Sequence, residues 1–102
     1  MKKITLMVGL NDKDSKVQEI NTLVAKKLVA EIIGACTITN GFGSYVHDDG
    51  TVVFEENLIV SILDFDGGNT LDVIKSKVEQ IKHMLNQEAV AYQVEEINSQ
   101  LL

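Results

Sequence analysis

The chain has 102 residues, 45% of them hydrophobic and 24% charged, which suits one ordinary globular domain over 1–102 and leaves no room for a second. Fifteen acidic against nine basic side chains give a formal charge of −6, so the electrostatic driving force for nucleic-acid binding is missing. No apolar run approaches the roughly 18 residues that cross a bilayer, "MKK" is not followed by a signal-peptide core, and Cys36 stands alone. The expected setting is therefore cytoplasmic, with no membrane partner.

The first element, "KITLMVGL", alternates with Ile4, Leu6, Val8 and Leu10 on one face, the period of a strand. "NDKDS" follows, and Ser15 with Gln18 three residues on resembles a capping box that opens a helix over about 15–33. Val17, Ile20, Val24, Leu28 and Ile32 recur at helical spacing, Leu23 widens the stripe, and Gly34 ends it. From Ala35 the period returns to two, with Cys36, Ile38, Phe42 and Val46 on one side and Gly41, Gly43, Tyr45 and His47 on the other. "HDDGT" then predicts a tight hairpin turn on Asp49-Gly50, both residues tolerating positive φ.

The third strand, "VVFEENLIVSILDF", is apolar on both faces in its second half, as in a strand covered on both sides. "DGGNT" leads to a helix capped at Asn69 or Thr70 and running to about Leu85, with Leu71, Ile74, Val78 and Ile81 on its apolar face. Val90, Tyr92 and Val94 mark a fourth strand, and residues from about 95 to 102 form a tail that offers Leu101 and Leu102 as an oligomer contact.

The order βαββαβ implies an α+β, ferredoxin-like sandwich: a four-stranded antiparallel sheet with two helices on one face and the first and third strands central. Met7, Ile59, Leu63 and Phe65 would then lie on the face without helices. An uncovered apolar patch of this kind implies a homo-oligomer.

The stretch "GFGSYVHDDGTVVFEEN" at 41–57 gathers the residue types that carry chemistry. Asp49, Gly50 and Glu56 match three positions of an EF-hand calcium loop, but Tyr45 and His47 would occupy the first and third ligand positions and no helix follows. His47, Asp48, Asp49 and His83 lack the convergence a transition metal needs, so no metal is expected. Gly41 and Gly43 lack the third glycine and following helix of a dinucleotide fingerprint, and no cofactor is expected. They suit instead a close approach of another backbone or a flat ligand, with Tyr45 placed to stack on it.

Glu55 and Glu56 point to opposite faces and form no catalytic dyad. Cys36 sits among apolar neighbours as a small core residue. Asn11, Asp12 and Asp14, and Asn86, Gln87 and Glu88, read as capping and turn residues at element ends.

With "VGLND" closing the first strand, "GACTITNGFGSY", "DDGTVVFEEN", and "LNQEAV" before the last strand, the chain resembles a family of short, uncharacterised bacterial and phage proteins with a ferredoxin-like fold. The PII signalling proteins look similar in element order, but their long loop between the second and third strands is missing, so their ligand is not carried over.

The function expected from the sequence is a non-enzymatic, oligomeric binding module whose ligand meets Gly41, Gly43, Tyr45, His47 and Glu56, with no catalytic residue assigned. One alternative is a small acidic inhibitor or adaptor, phage-encoded, that binds a larger protein. Another is an enzyme with its site at a subunit interface.

Overall fold

The computed structural model describes residues 1–102. Its elements are β1 (Lys2–Gly9), α1 (Thr22–Ile33), β2 (Thr37–Val46), β3 (Val52–Asp64), α2 (Leu71–Met84) and β4 (Ala91–Glu96). The strands form one antiparallel sheet in the order β2-β3-β1-β4, the ferredoxin-like arrangement with β1 and β3 central.

Even-numbered residues of the central strands face the helices. Ile4, Leu6 and Val8 of β1 stand opposite Ile62, Val60 and Leu58 of β3, and all six are buried. They join Ala25, Val29 and Ile33 of α1 and Ile74 and Ile81 of α2 in one cluster, so both helices cover the same face of the sheet. On the other face Met7 and Leu63 remain exposed and Ile59 is half-buried, with no helix over them; Phe65, just past β3, is exposed as well. No helix is long and apolar enough to cross a membrane.

Helix α1 begins seven residues later than the Ser15–Gln18 pattern suggests. Asp12 wins the local competition: its Oδ1 accepts from the backbone N–H groups of Asp14 (2.8 Å) and Ser15 (3.0 Å), folding these residues into a turn rather than a first helical turn. Lys16 takes a positive φ of 65°, and Asn11 bridges to Gln18, so the segment is a tight loop. The working cap is Asn21, whose side chain accepts from Leu23 N (2.9 Å) and Val24 N (3.3 Å).

The buried stripe is accordingly Ala25, Val29 and Ile33, with Leu28 and Ile32 at its margin and Leu23 and Val24 exposed. The helix ends at Gly34, at φ 90°, and Lys77 of α2 donates to the Ile33 carbonyl at 3.1 Å. Helix α2 is capped by Thr70, carries Asp72 in its first turn and Lys82 and His83 in its last, and so has its charges matched to the helix dipole.

The β2–β3 hairpin is longer than the rest of the sheet. β1 pairs with β3 only as far as Gly9↔Asn57, whereas β2 and β3 continue to Val46↔Val52. The outer half of the hairpin therefore overhangs, and the molecule measures 47 × 25 × 24 Å.

The turn also departs from the two-residue form. His47 N–H donates to the Thr51 carbonyl, Gly50 N–H donates to the His47 carbonyl (both 2.9 Å), and only Gly50 has positive φ. That is a three-residue loop, Asp48 to Gly50, built on a type I turn closed by a left-handed glycine. Asp49 accepts from Thr51 N–H at 2.9 Å and steadies it.

Candidate functional site

The extra turn residue decides which carboxylate faces which side. A two-residue Asp49-Gly50 turn would pair Asp48 with Thr51 and set Glu56 opposite Gly43. The three-residue loop instead pairs Gly43 with Glu55 and Phe42 with Glu56. A shift of one residue exchanges the two faces of a strand. Glu55 thus shares the helix-free face with Gly41, Gly43 and Tyr45. Glu56 lies on the helix side, where its Oε2 accepts from Thr22 Oγ1 at 2.7 Å and ties the hairpin to the start of α1.

Where the hairpin overhangs the end of β1, a cavity of about 300 Å³ opens between three segments. The hairpin contributes Tyr45, His47 and Glu55. The β1–α1 loop contributes Asn11, Asp12, Lys13 and Lys16, and the segment before β4 contributes Gln87, Glu88 and Ala89. Of the five residues expected from the sequence to meet a ligand, Tyr45 and His47 line it. Gly41 and Gly43 lie further along the same face, and Glu56 lies on the opposite one.

Asn11 and Gln87 fasten the three segments together. Asn11 donates through its backbone N–H to Glu55 Oε2 (3.2 Å) and through Nδ2 to the Phe54 carbonyl (3.3 Å). Gln87 is buried, and its Nε2 donates to the carbonyls of Asn11 (2.7 Å) and Leu85 (3.2 Å). Asn86 Nδ2 donates to both Asp12 and Asp14 at 2.8 Å, locking one loop against the other. These residues looked like caps in the sequence because most of their partners lie 43 to 76 positions away.

Glu55 is half-buried, with one carboxylate oxygen engaged by Asn11. Gly9 gives it room: a Cβ at that position would fall 2.7 Å from Glu55 Oε1. Beside it the Tyr45 and His47 rings meet edge to face, with centroids 5.3 Å apart.

Asp12 is held below the usual carboxylate range, chiefly by the Ser15 N–H, then by the Asn86 amide and the Asp14 N–H. Its oxygens are spent on the loop. Asp49, at the hairpin tip, is lowered by the Thr51 N–H first and more weakly by His47. Burial raises the Cys36 thiol, which suits a packed side chain rather than a nucleophile.

Further along the helix-free face Asn57 stands between Gly9 and Gly41 on the two neighbouring strands. A Cβ at Gly41 would collide with Asn57 Oδ1, so glycine is required there for the amide to lie flat. That oxygen is buried and accepts no hydrogen bond. No group of three or more His, Cys, Asp or Glu side chains converges as a metal site.

No protein-family model matches the chain, and no curated protein sequence matches it. Solved structures do. A phage SAM lyase in its apo state superposes with a TM-score of 0.68 at 19% identity, over 92% of this chain and 78% of that one. A phage SAM lyase in complex with S-methyl-5′-thioadenosine gives 0.63 at 21% identity, over 93% and 80%. The periplasmic divalent cation tolerance protein CutA from Archaeoglobus fulgidus gives 0.57 at 11%, over 99% and 88%.

The likeness is one of fold. It shows the ferredoxin-like architecture that these small proteins share.

Proposed function

We propose that the chain binds S-adenosylmethionine, or a closely related cationic nucleoside, in the cavity between hairpin and loops, and acts on it as a lyase. The observation that carries this reading is Glu55: a half-buried carboxylate, fixed by the Asn11 N–H, beside the Tyr45 ring and within a cavity that also holds Lys13. S-adenosylmethionine carries a sulfonium, an ammonium and a carboxylate. A carboxylate and an aromatic face suit the first two, and a lysine suits the third. The cavity is at the small end for such ligands, so the remainder of the molecule would run along Gly43 and Gly41 on the helix-free face. The fold shared with a phage SAM lyase supports the same choice of substrate.

S-methyl-5′-thioadenosine is S-adenosylmethionine without its aminobutyrate arm, so a lyase that forms it breaks the bond between sulfur and the arm's terminal carbon while the arm's own carboxylate oxygen bonds to that carbon, and the arm leaves as a lactone with no other reactant consumed. The sulfonium leaves as a neutral thioether. The positive charge disappears along the reaction, which means that a carboxylate favours the bound substrate over the transition state, and rate acceleration must come from positioning the arm and excluding water. Glu55 serves binding and release: it holds the charged substrate and loses its hold on the neutral nucleoside product. This reading keeps the Tyr45 and His47 contacts expected of a binding module, and departs from the enzyme alternative in using a cavity within one chain rather than a subunit interface.

The test is incubation of the purified protein with S-adenosylmethionine, with S-methyl-5′-thioadenosine followed by chromatography, alongside calorimetric titration. Binding at micromolar to millimolar concentration with product formation is expected. No binding and no product at millimolar substrate would refute the reading.

A further inference from the structure

Asn57 breaks the local rules of the sheet and gains nothing for it inside the chain. It stands in β3, a central strand, where asparagine is a poor strand former. Its neighbours on both ladders are glycines, Gly9 on β1 and Gly41 on β2, so the row through Asn57 carries one side chain where three would be usual. Nδ2 makes no hydrogen bond within the chain, and of the amide's two ends only Oδ1 is closed off from solvent, with no donor. The amide braces no loop and no strand. A buried acceptor without a partner costs stability, and local rules broken in this way collect where a protein meets a ligand.

The surroundings suit a flat ring. Gly9 lies under the Glu55 carboxylate, so the open floor is on β2, at Gly41 and Gly43. A Cβ at Gly43 would already touch Asn57 Nδ2 at 3.4 Å. On the same face Tyr45 follows Gly43, and Ile59 follows Asn57, which walls the floor with an aromatic ring at one end and an aliphatic side chain at the other. Glu55 lies two residues along β3, about 7 Å away by the rise of a strand. A ribose spans that separation, with the sulfonium at Glu55 and the base at Asn57.

We infer that Asn57 reads the base of the ligand and sets a preference for adenine, a role that rests on the nucleoside ligand proposed above. A carboxamide sets an acceptor beside a donor, and adenine presents the complement along one edge, the 6-amino group beside N7. Turning the amide out of its recess gives Oδ1 the donor it lacks and Nδ2 an acceptor, so the penalty of the free state is relieved on binding. Hypoxanthine carries an oxygen in place of the amino group. Along that edge it offers two acceptors, leaving Oδ1 unpaired, and a site built on hydrogen bonds rejects such an analogue.

The experiment is calorimetric titration of the wild type and of Asn57→Ala with S-methyl-5′-thioadenosine and with its hypoxanthine counterpart, 5′-methylthioinosine, alongside thermal melts without ligand. The wild type is expected to prefer the adenine nucleoside by about tenfold or more. Asn57→Ala is expected to reduce the preference below about threefold, by weakening the adenine ligand. Its Tm should lie no more than about 4 °C below wild type, because the substitution removes an orphaned oxygen and no protein hydrogen bond. Equal affinity of the wild type for the two nucleosides, a preference that survives in Asn57→Ala, or a larger fall in Tm would overturn the inference and leave the nucleoside reading standing. Failure of both nucleosides and of S-adenosylmethionine to bind at millimolar concentration would overturn the two together.

Discussion

Replacing Glu55 by Gln removes the negative charge assigned to the ligand's cationic groups while preserving the shape and the acceptor that Asn11 N–H uses at 3.2 Å. The fold should hardly notice, with a loss below about 1 kcal/mol, since a neutral acceptor replaces a charged one at a partly exposed bond. The ligand should notice more. Two unit charges about 4 Å apart interact by about 1 kcal/mol in water and about 4 kcal/mol at an effective dielectric of 20. Glu55 is half-buried in an open cavity, which places the loss toward the lower end, about 1.4–2 kcal/mol, or roughly 10- to 30-fold in Kd. S-methyl-5′-thioadenosine has no sulfonium and should change by less than about threefold. Calorimetric titration of both ligands, at low and high salt, reads the difference directly. If Glu55→Gln weakens both ligands equally, or weakens neither, the carboxylate does not recognise the cation and the argument fails.

Core truncation at Ile81, fully buried between helix and sheet, should cost about 3 kcal/mol as Ile81→Ala and lower Tm by roughly 15 °C in a thermal melt; a loss under 1 kcal/mol would show that α2 is not packed as described. Asn21→Ala should cost about 1 kcal/mol and Ser15→Ala under about 0.5 kcal/mol, and the reverse ranking would restore the earlier helix start. The lowered Asp12 keeps its charge to below the ordinary carboxylate value of about 3.9, so its hold on the loop is complete above that pH and is lost as pH falls through the lower folded value. The Ser15 backbone amide signal in NMR should therefore be flat from neutral pH to about 4 and move only below it; a midpoint above 4 would contradict the assignment.

The fold was legible because its core rests on short-range periodicity. Ile4, Leu6 and Val8 alternate, Ile74 and Ile81 lie two turns apart, and the order βαββαβ leaves few ways to bury them. The start of α1 was not legible, since Ser15 and Gln18 satisfy the capping pattern as well as Asn21 does. The choice fell to Asp12, which captures the Ser15 N–H before a helix can. The cavity was half legible. Tyr45 and His47 announce themselves by type, but the assignment of Glu55 rather than Glu56 turns on one residue in the hairpin loop, and the "DDG" sequence is compatible with either loop length. Asn11 and Gln87 join the site through contacts that only the closed sheet creates.

The hairpin sorts its side chains by parity alone. Odd-numbered residues of β2 and β3 carry Gly41, Gly43, Tyr45, Glu55 and Asn57 to the helix-free face, and even-numbered ones carry Phe42, Val46, Val52 and Phe54 to the other. In a two-residue repeat neither set can move without the other moving oppositely. The odd-numbered residues therefore reach the cavity only in this register, and the same register leaves Phe42 and Phe54 stacked on the opposite face. It follows that substitutions should sort by parity: Glu55→Gln should weaken binding of the charged ligand, and Phe42→Ser, on the opposite face, should leave that affinity unchanged in the same calorimetric titration. Within a hairpin one residue thick, that separation is possible only because alternate side chains never share a face.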